Sequence, residues 1–127
     1  MASTVSRGRL HYAEGNVLLA DANAGYIIVG DAPGRTINVV GGHLIARGGA
    51  AAAHTSMDVQ DTDGVVAVAY EQAGLTEGAG LSYWAPANVT ITTPGPLTAG
   101  KGLQIKNTGD ACTTATSFDY VVTFTVG

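Results

Sequence analysis

Residues Ser117–Gly127 read Ser-Phe-Asp-Tyr-Val-Val-Thr-Phe-Thr-Val-Gly, and this stretch decides the fold class. Apolar side chains occupy every second position from the tyrosine onward, with Asp, Val and Thr between them. A period of two in β-branched and aromatic residues predicts a strand with one buried face. The face expected to be buried carries Tyr120, Val122, Phe124 and Val126.

Shorter runs of the same kind precede this strand, separated by Gly, Pro, Asn and Asp, and no run reads as a long amphipathic helix. The pattern predicts eight to ten short strands with Gly-rich loops, which is typical of an all-β, single β-sandwich with a jelly-roll-like arrangement. We expect this domain to span residues 10–127, after a flexible N-terminal arm at residues 1–9. The expected strands include Leu10–Tyr12, Asn16–Ala20, Tyr26–Val29, Thr36–Ala46, Thr55–Gln60, Val65–Tyr70, Leu81–Trp84, Val89–Thr93 and Leu103–Lys106.

Three segments are expected to lie outside regular structure. Asp21–Gly25 is expected to form a turn, Arg47–Ala53 a loop, and Asn107–Thr116 a polar loop.

A pair of glycines, Gly41-Gly42, interrupts the long strand expected at Thr36–Ala46. Such a pair inside a strand indicates a bulge or a sharp bend. Without a bulge, Ile37, Val39 and Ile45 would share one face, whereas a bulge would reset that register.

The composition limits the classes of function. The 127 residues suffice for one domain, 13% are charged, and the net charge is −4. An acidic chain is poorly suited to non-specific binding of nucleic acid, so no nucleic-acid partner is expected. A surface with few charges suits close packing against another protein.

The cysteine content indicates the compartment of synthesis. Cys112 is the only cysteine, so an intramolecular disulfide is impossible, and we expect synthesis in a reducing compartment or stabilisation by oligomerisation. We find no secretory signal and no apolar stretch long enough to span a membrane, and we expect no membrane association.

Arg7 and Arg9 lie in an N-terminal segment that carries no acidic residue before Glu14. The segment is interpreted either as a frayed terminus or as an arm that docks on an acidic partner.

Asp58, Asp61 and Asp63 form the densest group of carboxylates and stand next to Gly64. Oxygen ligands near a turn suit Ca²⁺, although Val59 occupies a position where an EF-hand has a second ligand. The alternative interpretation is an ordinary turn with no metal.

Tyr83 and Trp84 are candidates for a glycan-facing platform, with Tyr70 as a third aromatic residue. Aromatic rings stack on the apolar faces of sugars, but the same residues are more typical of a hydrophobic core.

The sequence offers no catalytic constellation. His11, His43 and His54 lack the spacing of metal ligands, and neither a nucleophile elbow nor a Cys–His signature is present. We therefore expect no enzymatic activity and no cofactor.

The order of the segments Arg35–Arg47, Thr55–Gly64, Leu97–Lys106 and Tyr120–Val126 resembles small virion proteins of tailed bacteriophages, in particular head decoration (cement) proteins. The resemblance implies a β-sandwich, often a homotrimer, that sits on the capsid surface and binds the major capsid protein. Such a protein is made in the host cytoplasm, and it stabilises the capsid without catalytic residues. In this interpretation Arg7 and Arg9 pair with carboxylates of the capsid. The alternatives are a phage tail or baseplate protein and a carbohydrate-binding β-sandwich module.

Overall fold

The computed structural model describes residues 9–72, 76–77, 81–82, 89–91 and 96–127. Within them the chain forms eleven strands and one short helix, and every strand pairing is antiparallel, which confirms the expected all-β class. The elements are β1 (Leu10–Leu18), α1 (Leu19–Ala24), β2 (Tyr26–Val29), β3 (Ile37–Arg47), β4 (Ala51–Ala52), β5 (Ser56–Asp61), β6 (Ala67–Gln72), β7 (Leu81–Ser82), β8 (Val89–Ile91), β9 (Leu103–Thr108), β10 (Thr113–Thr114) and β11 (Ser117–Val126).

The strands form two main sheets. The order is β1-β11-β3-β7 in the four-stranded sheet and β2-β9-β5-β6-β8 in the five-stranded sheet, and β10 pairs with β4 in a separate ribbon. Most neighbours in each sheet are distant in sequence, so the fold rests on long-range pairing.

Strand β11 has the alternation that the sequence predicts. Tyr120, Val122 and Phe124 are buried, together with Phe118 on the same face, while the intervening side chains are half-buried. Val126 was also expected on the buried face, but at the end of the strand it is only half-buried and packs against the core. The strand pairs with β1 on one side and with β3 on the other, so it is the central element of its sheet.

Strand β3 contains a bulge, which is one of the two alternatives that the pair Gly41-Gly42 allowed. Phe124 pairs with Val39 and Thr123 pairs with Gly41, so Val40 is the extra residue. Because the bulge shifts the alternation by one, Leu44 is buried after it and Ile45 is not.

The region before β2 differs from the prediction. The two short strands expected at Leu10–Tyr12 and Asn16–Ala20 form the single strand β1, because β11 pairs with all nine of its residues. The turn expected at Asp21–Gly25 is largely the helix α1, in which Ala22 is completely buried.

Contacts with distant residues explain why such a short helix forms, since isolated helices of this length are unstable. The Asn23 side chain accepts a hydrogen bond from the Cys112 N–H (2.8 Å) and donates one to the Cys112 carbonyl (3.1 Å). Gly25 then ends the helix at φ +101°, and its N–H donates to the Asp21 carbonyl.

The two segments expected to be loops are each partly extended. Strand β4 lies within Arg47–Ala53 and β10 within Asn107–Thr116, and they pair with each other. The loop interpretation was therefore wrong at these four residues, where pairing between two distant segments outweighs weak local preference. It was also wrong at Arg47, which ends β3, and at Asn107 and Thr108, which end β9.

One hydrophobic cluster takes side chains from both main sheets. Val39, Leu44 and Phe118 come from the four-stranded sheet, and Met57 and Leu103 come from the five-stranded sheet. Strand β5 is buried along its whole length on both faces. Among the described residues there is no helix long and apolar enough to cross a membrane.

Candidate functional site

Strand β1 is an open edge of the four-stranded sheet. It pairs with β11 along nine residues, and no described residue pairs with its other side. An unpaired strand edge presents a row of free N–H and C=O groups, which is a template for a further strand.

Two observed hydrogen bonds show which groups of β1 face this edge. The Leu19 N–H donates to the Thr116 carbonyl (3.0 Å), and Gly127 and Thr36 exchange both of their bonds. Bonding alternates along an antiparallel pair, so the odd-numbered residues of β1 bond to β11. The even-numbered residues direct their backbone groups outward: Leu10, Tyr12, Glu14, Asn16 and Leu18. We call these five residues the β1 edge.

The side chains of the β1 edge lie on the solvent-facing side of the sheet. Tyr12 is 69% exposed, Leu18 is 60% exposed and Leu10 is 47% exposed. Glu14, at the middle of the strand, is the only Asp, Glu, Lys or Arg residue of β1, and the one histidine, His11, lies on the opposite face. The β1 edge therefore combines apolar ends with one central negative charge.

Strand β1 carries only one of the usual protections of an edge strand, the charged side chain of Glu14. Strand β1 contains no proline and no lysine, and its pairing with β11 is continuous without a bulge. The other terminal strands, β2, β7 and β8, have four, two and three residues. Among the described terminal strands of the two main sheets, β1 is the longest.

A polar row anchors one end of β1 to its sheet. The Asn16 amide donates to Asp119 Oδ1 (2.9 Å) and to the Ser117 hydroxyl (3.0 Å), and Arg47 Nε donates to Asp119 Oδ2 (2.7 Å). These hydrogen bonds from Asn16 and Arg47 lower the pKa of Asp119. The row connects the Asn16 side chain of β1 to Ser117 and Asp119 of β11.

The opposite face of β1 packs on aromatic rings of β11. His11 stacks on Phe124 with ring centroids 5.5 Å apart, and the Tyr120 ring lies over Gly15. Burial, with hydrogen bonding to Tyr26, raises the pKa of Tyr120 to about 12. These contacts seat β1 against β11.

Asp61, one of the three candidate metal ligands, organises the turn after β5. Its carboxylate accepts hydrogen bonds from the N–H groups of Val65 (2.9 Å) and Val66 (3.2 Å) and from the Thr98 hydroxyl. Burial alone would raise the pKa of Asp61, but these hydrogen bonds outweigh it and lower the pKa. A carboxylate engaged in this way is a structural cap of the turn.

Asp58 lies on the other face of β5. It accepts hydrogen bonds from the Ser56 hydroxyl (2.7 Å) and the Gln60 amide (3.3 Å). Burial raises the pKa of Asp58, and the two hydrogen bonds only partly oppose this. The odd spacing between Asp58 and Asp61 places them on opposite faces of the strand.

Asp63 is exposed and lies 3.3 Å from Lys101 Nζ, which is also 3.9 Å from Asp31. Hydrogen bonds from Thr62 and Gly102 lower the pKa of Asp31. The structure therefore does not bring Asp58, Asp61 and Asp63 together. Across the described residues, no group of three or more His, Cys, Asp or Glu side chains is placed to hold a metal ion.

Two depressions adjoin one another beside Arg35 and Lys101. The narrower one has a volume of about 40 Å³, which is too small for an organic ligand, and the wider one of about 550 Å³ is open to solvent. Neither has the shape of a deep ligand site.

The remaining candidate residues are only partly described. Arg9 is exposed immediately before β1, while Arg7, Tyr83 and Trp84 lie outside the described residues. The β1 edge was not identified from the sequence. Its signal was present as Leu10, Tyr12 and Leu18 spaced in steps of two around Glu14, but strand position within the sheet was unknown.

Comparison of the chain with protein-family models, with curated proteins and with solved structures finds no match.

Proposed function

We propose that this chain is a structural virion protein that decorates and stabilises a bacteriophage capsid by binding the major capsid protein. The observation that supports it best is the β1 edge, a long unpaired strand edge with three exposed apolar side chains. Such a surface suits protein partners better than small molecules. The order of the segments, which resembles that of head decoration proteins, supplies the identity of the partner.

The proposal includes the finer architecture. The shared core of the two main sheets supports a β-sandwich with jelly-roll-like connections. A homotrimer on the capsid surface would match local three-fold positions of the lattice. Synthesis would take place in the host cytoplasm, where a free thiol such as the buried Cys112 stays reduced.

A non-catalytic role accords with the geometry of the candidate residues. Asp61 caps a turn, Asp58 is held by Ser56 and Gln60, and Asp63 is paired with Lys101. Each has a structural partner in place. The proposal also includes ion pairs from Arg7 and Arg9 to carboxylates of the major capsid protein.

The first experiment locates the protein on virions. Antibodies raised against the purified chain are used to label virions of the phage that encodes it, and the labelled particles are viewed by electron microscopy. We expect label on the head. Label on the tail or baseplate would replace the proposal by the tail alternative, and absence of the chain from virions would overturn both.

A second experiment tests stabilisation and the role of the N-terminal arm. Undecorated heads are incubated with the full chain or with a chain lacking residues 2–9, and their thermal disruption is followed by light scattering. We expect the full chain to raise the disruption temperature and the truncated chain to bind more weakly. Equal binding by the two chains would remove Arg7 and Arg9 from the interface.

A further inference from the structure

We propose that the β1 edge binds an extended segment of a partner protein as an additional antiparallel strand, with a basic side chain opposite Glu14 and apolar side chains opposite Leu10 and Leu18. The identification of that partner as a capsid protein rests on the proposed function. The strand addition itself is carried by the geometry of β1.

The backbone of β1 is ready to bond a strand of matching length. Leu10, Tyr12, Glu14 and Asn16 each present one N–H and one C=O, and the pairing with β11 keeps them in line. Leu18 presents its N–H only, because it is the N-cap residue of α1 and its C=O accepts the first hydrogen bond of the helix. In strand addition these main-chain groups supply affinity, and alternate side chains supply specificity. The exposed side chains of Leu10, Tyr12 and Leu18 flank the bonding row and would be covered by the added strand.

The position of Glu14 argues against a second copy of this chain as the occupant. Leu10 and Leu18 each lie four residues from Glu14, so antiparallel self-pairing that matches the leucines places Glu14 opposite Glu14 of the other copy. Like charges directly opposite each other on paired strands are destabilising. Shifting the register by two residues removes this repulsion, but it shortens the ladder and leaves one leucine without an apolar partner.

The same position favours a basic partner. Glu14 has no ion pair with a described residue. A lysine or arginine directly opposite it forms an attractive cross-strand pair. Glu14 therefore discourages self-association and selects a partner of opposite charge, which is the logic of specificity by repulsion of the wrong partner.

Two synthetic peptides test this inference without any capsid. Both are capped and span the β1 sequence Leu10–Leu18; one is unchanged and the other carries Glu14→Lys, so it presents a cation at the centre of a matching strand. Amide hydrogen exchange of the full chain is measured by NMR with each peptide at millimolar concentration. Tyr12, Glu14 and Asn16 report on the open side of β1, and Ala13 and Gly15 report on the side bonded to β11.

We expect the Glu14→Lys peptide to slow exchange at Tyr12, Glu14 and Asn16 by at least tenfold, with Ala13 and Gly15 unchanged. The unchanged peptide is expected to have less than a threefold effect. In a full chain carrying Glu14→Lys, this preference should reverse, so that the unchanged peptide gives the larger protection. The reversal distinguishes selection by charge from non-specific binding of either peptide.

Three results would overturn the inference. Equal protection by both peptides would mean that charge does not select the occupant. Slower exchange of the same amides with increasing concentration of the chain alone would identify a second copy as the occupant. Absence of protection by either peptide would mean that β1 does not accept a strand. Because virions are not used, failure here leaves the labelling experiment intact, and failure of the labelling leaves the strand addition intact.

Discussion

Strands β1 and β5 of this protein lie at opposite extremes of burial. All six residues of β5 are buried, and the strand has a neighbour on each side, β9 and β6. Strand β1 has a neighbour on one side only and buries one of its nine residues, Val17. Both are antiparallel, and each has a neighbour with which its register is continuous, β11 for β1 and β9 for β5, so the difference does not come from strand geometry.

The difference lies in where the polar groups find partners. On β5, Asp58 and Asp61 are hydrogen-bonded within the protein, as buried polar groups must be. On the β1 edge, water or a partner chain must satisfy the backbone groups. We infer that β5 serves stability and β1 serves contact, and the following predictions test that separation in order of decreasing effect on unfolding at neutral pH.

The largest effect is expected from Asp61→Ala at the end of β5. The substitution leaves the N–H groups of Val65 and Val66 and the Thr98 hydroxyl without their charged acceptor. Hydrogen bonds to charged groups contribute about 1.5–3 kcal/mol each, so we expect a loss of about 3 kcal/mol or more in the free energy of unfolding. Urea denaturation at pH 7 measures it.

Asp63→Ala is the matched control in the same turn. Asp63 is exposed and its ion pair with Lys101 is a surface contact, so the expected loss is below about 1 kcal/mol. A loss as large as that of Asp61→Ala would show that the charge of the turn matters, not the hydrogen bonds of one buried carboxylate.

Asp61 also makes the free energy of unfolding depend on pH in the acidic range. Because its pKa is lowered in the fold, its contribution is present above the unfolded pKa of about 3.9 and is lost as the pH falls through the folded pKa. Asp61→Ala should therefore flatten the acid limb of a plot of stability against pH. An unchanged acid limb would assign that dependence to other carboxylates.

Gly102→Ala is expected to have the next largest effect. A Cβ atom at Gly102, just before β9, would collide with the Val29 carbonyl oxygen, which belongs to the backbone of β2 and cannot swing away. We expect a loss of about 1–3 kcal/mol, the usual cost of overpacking. Gly30→Ala is the control, since a Cβ there meets nothing within 4 Å.

How much the sequence reveals differs between these regions for physical reasons. The stretch Ser117–Gly127 has a strict period of two and packs in a core, so its structure and its buried face were predictable. The bulge in β3 was foreseen only as one of two registers, because glycines permit a bulge without requiring one. The helix α1 was missed because burial of Ala22 and the bonds from Asn23 to Cys112 stabilise it, and these contacts are distant in sequence.

The candidate site was harder to predict than the fold. Whether a strand lies at a sheet edge depends on the order of all the strands, so nothing in Leu10–Leu18 alone shows that its outer side is open. The three aspartates looked like a cluster because they are close in sequence. In the structure both Asp58 and Asp61 belong to β5, and the alternation of side chains along a strand places them on opposite faces. The sequence does not show where β5 ends, so it does not show that Asp61 is still part of the strand.

Tyr120 is buried like the residues of β5, but it also contacts β1. It lies on the buried face of β11, and its ring covers Gly15 of β1. Its pKa is raised to about 12, so its contribution to stability is complete below the unfolded pKa of about 10 and is lost as the pH rises towards 12. We expect Tyr120→Phe to change stability by less than about 1 kcal/mol at pH 7. Above pH 10 the variant should decline less steeply than the parent, as measured by denaturation at pH 9, 10 and 11; parallel curves would assign the alkaline loss to other groups.

The smallest effect on stability is expected at the β1 edge, and this prediction is the sharpest test of the separation. Tyr12→Thr replaces one residue that favours strands with another and removes a ring that is 69% exposed, so the free energy of unfolding should change by less than about 0.5 kcal/mol. Val59→Thr in β5 changes fewer atoms but places a hydroxyl group in a completely buried position, and it should cost at least about 1 kcal/mol. Urea denaturation of both variants gives the comparison. If Tyr12→Thr proves as destabilising as Val59→Thr, the exposed ring is part of what holds β1 in place, and the strand cannot be regarded as free for a partner.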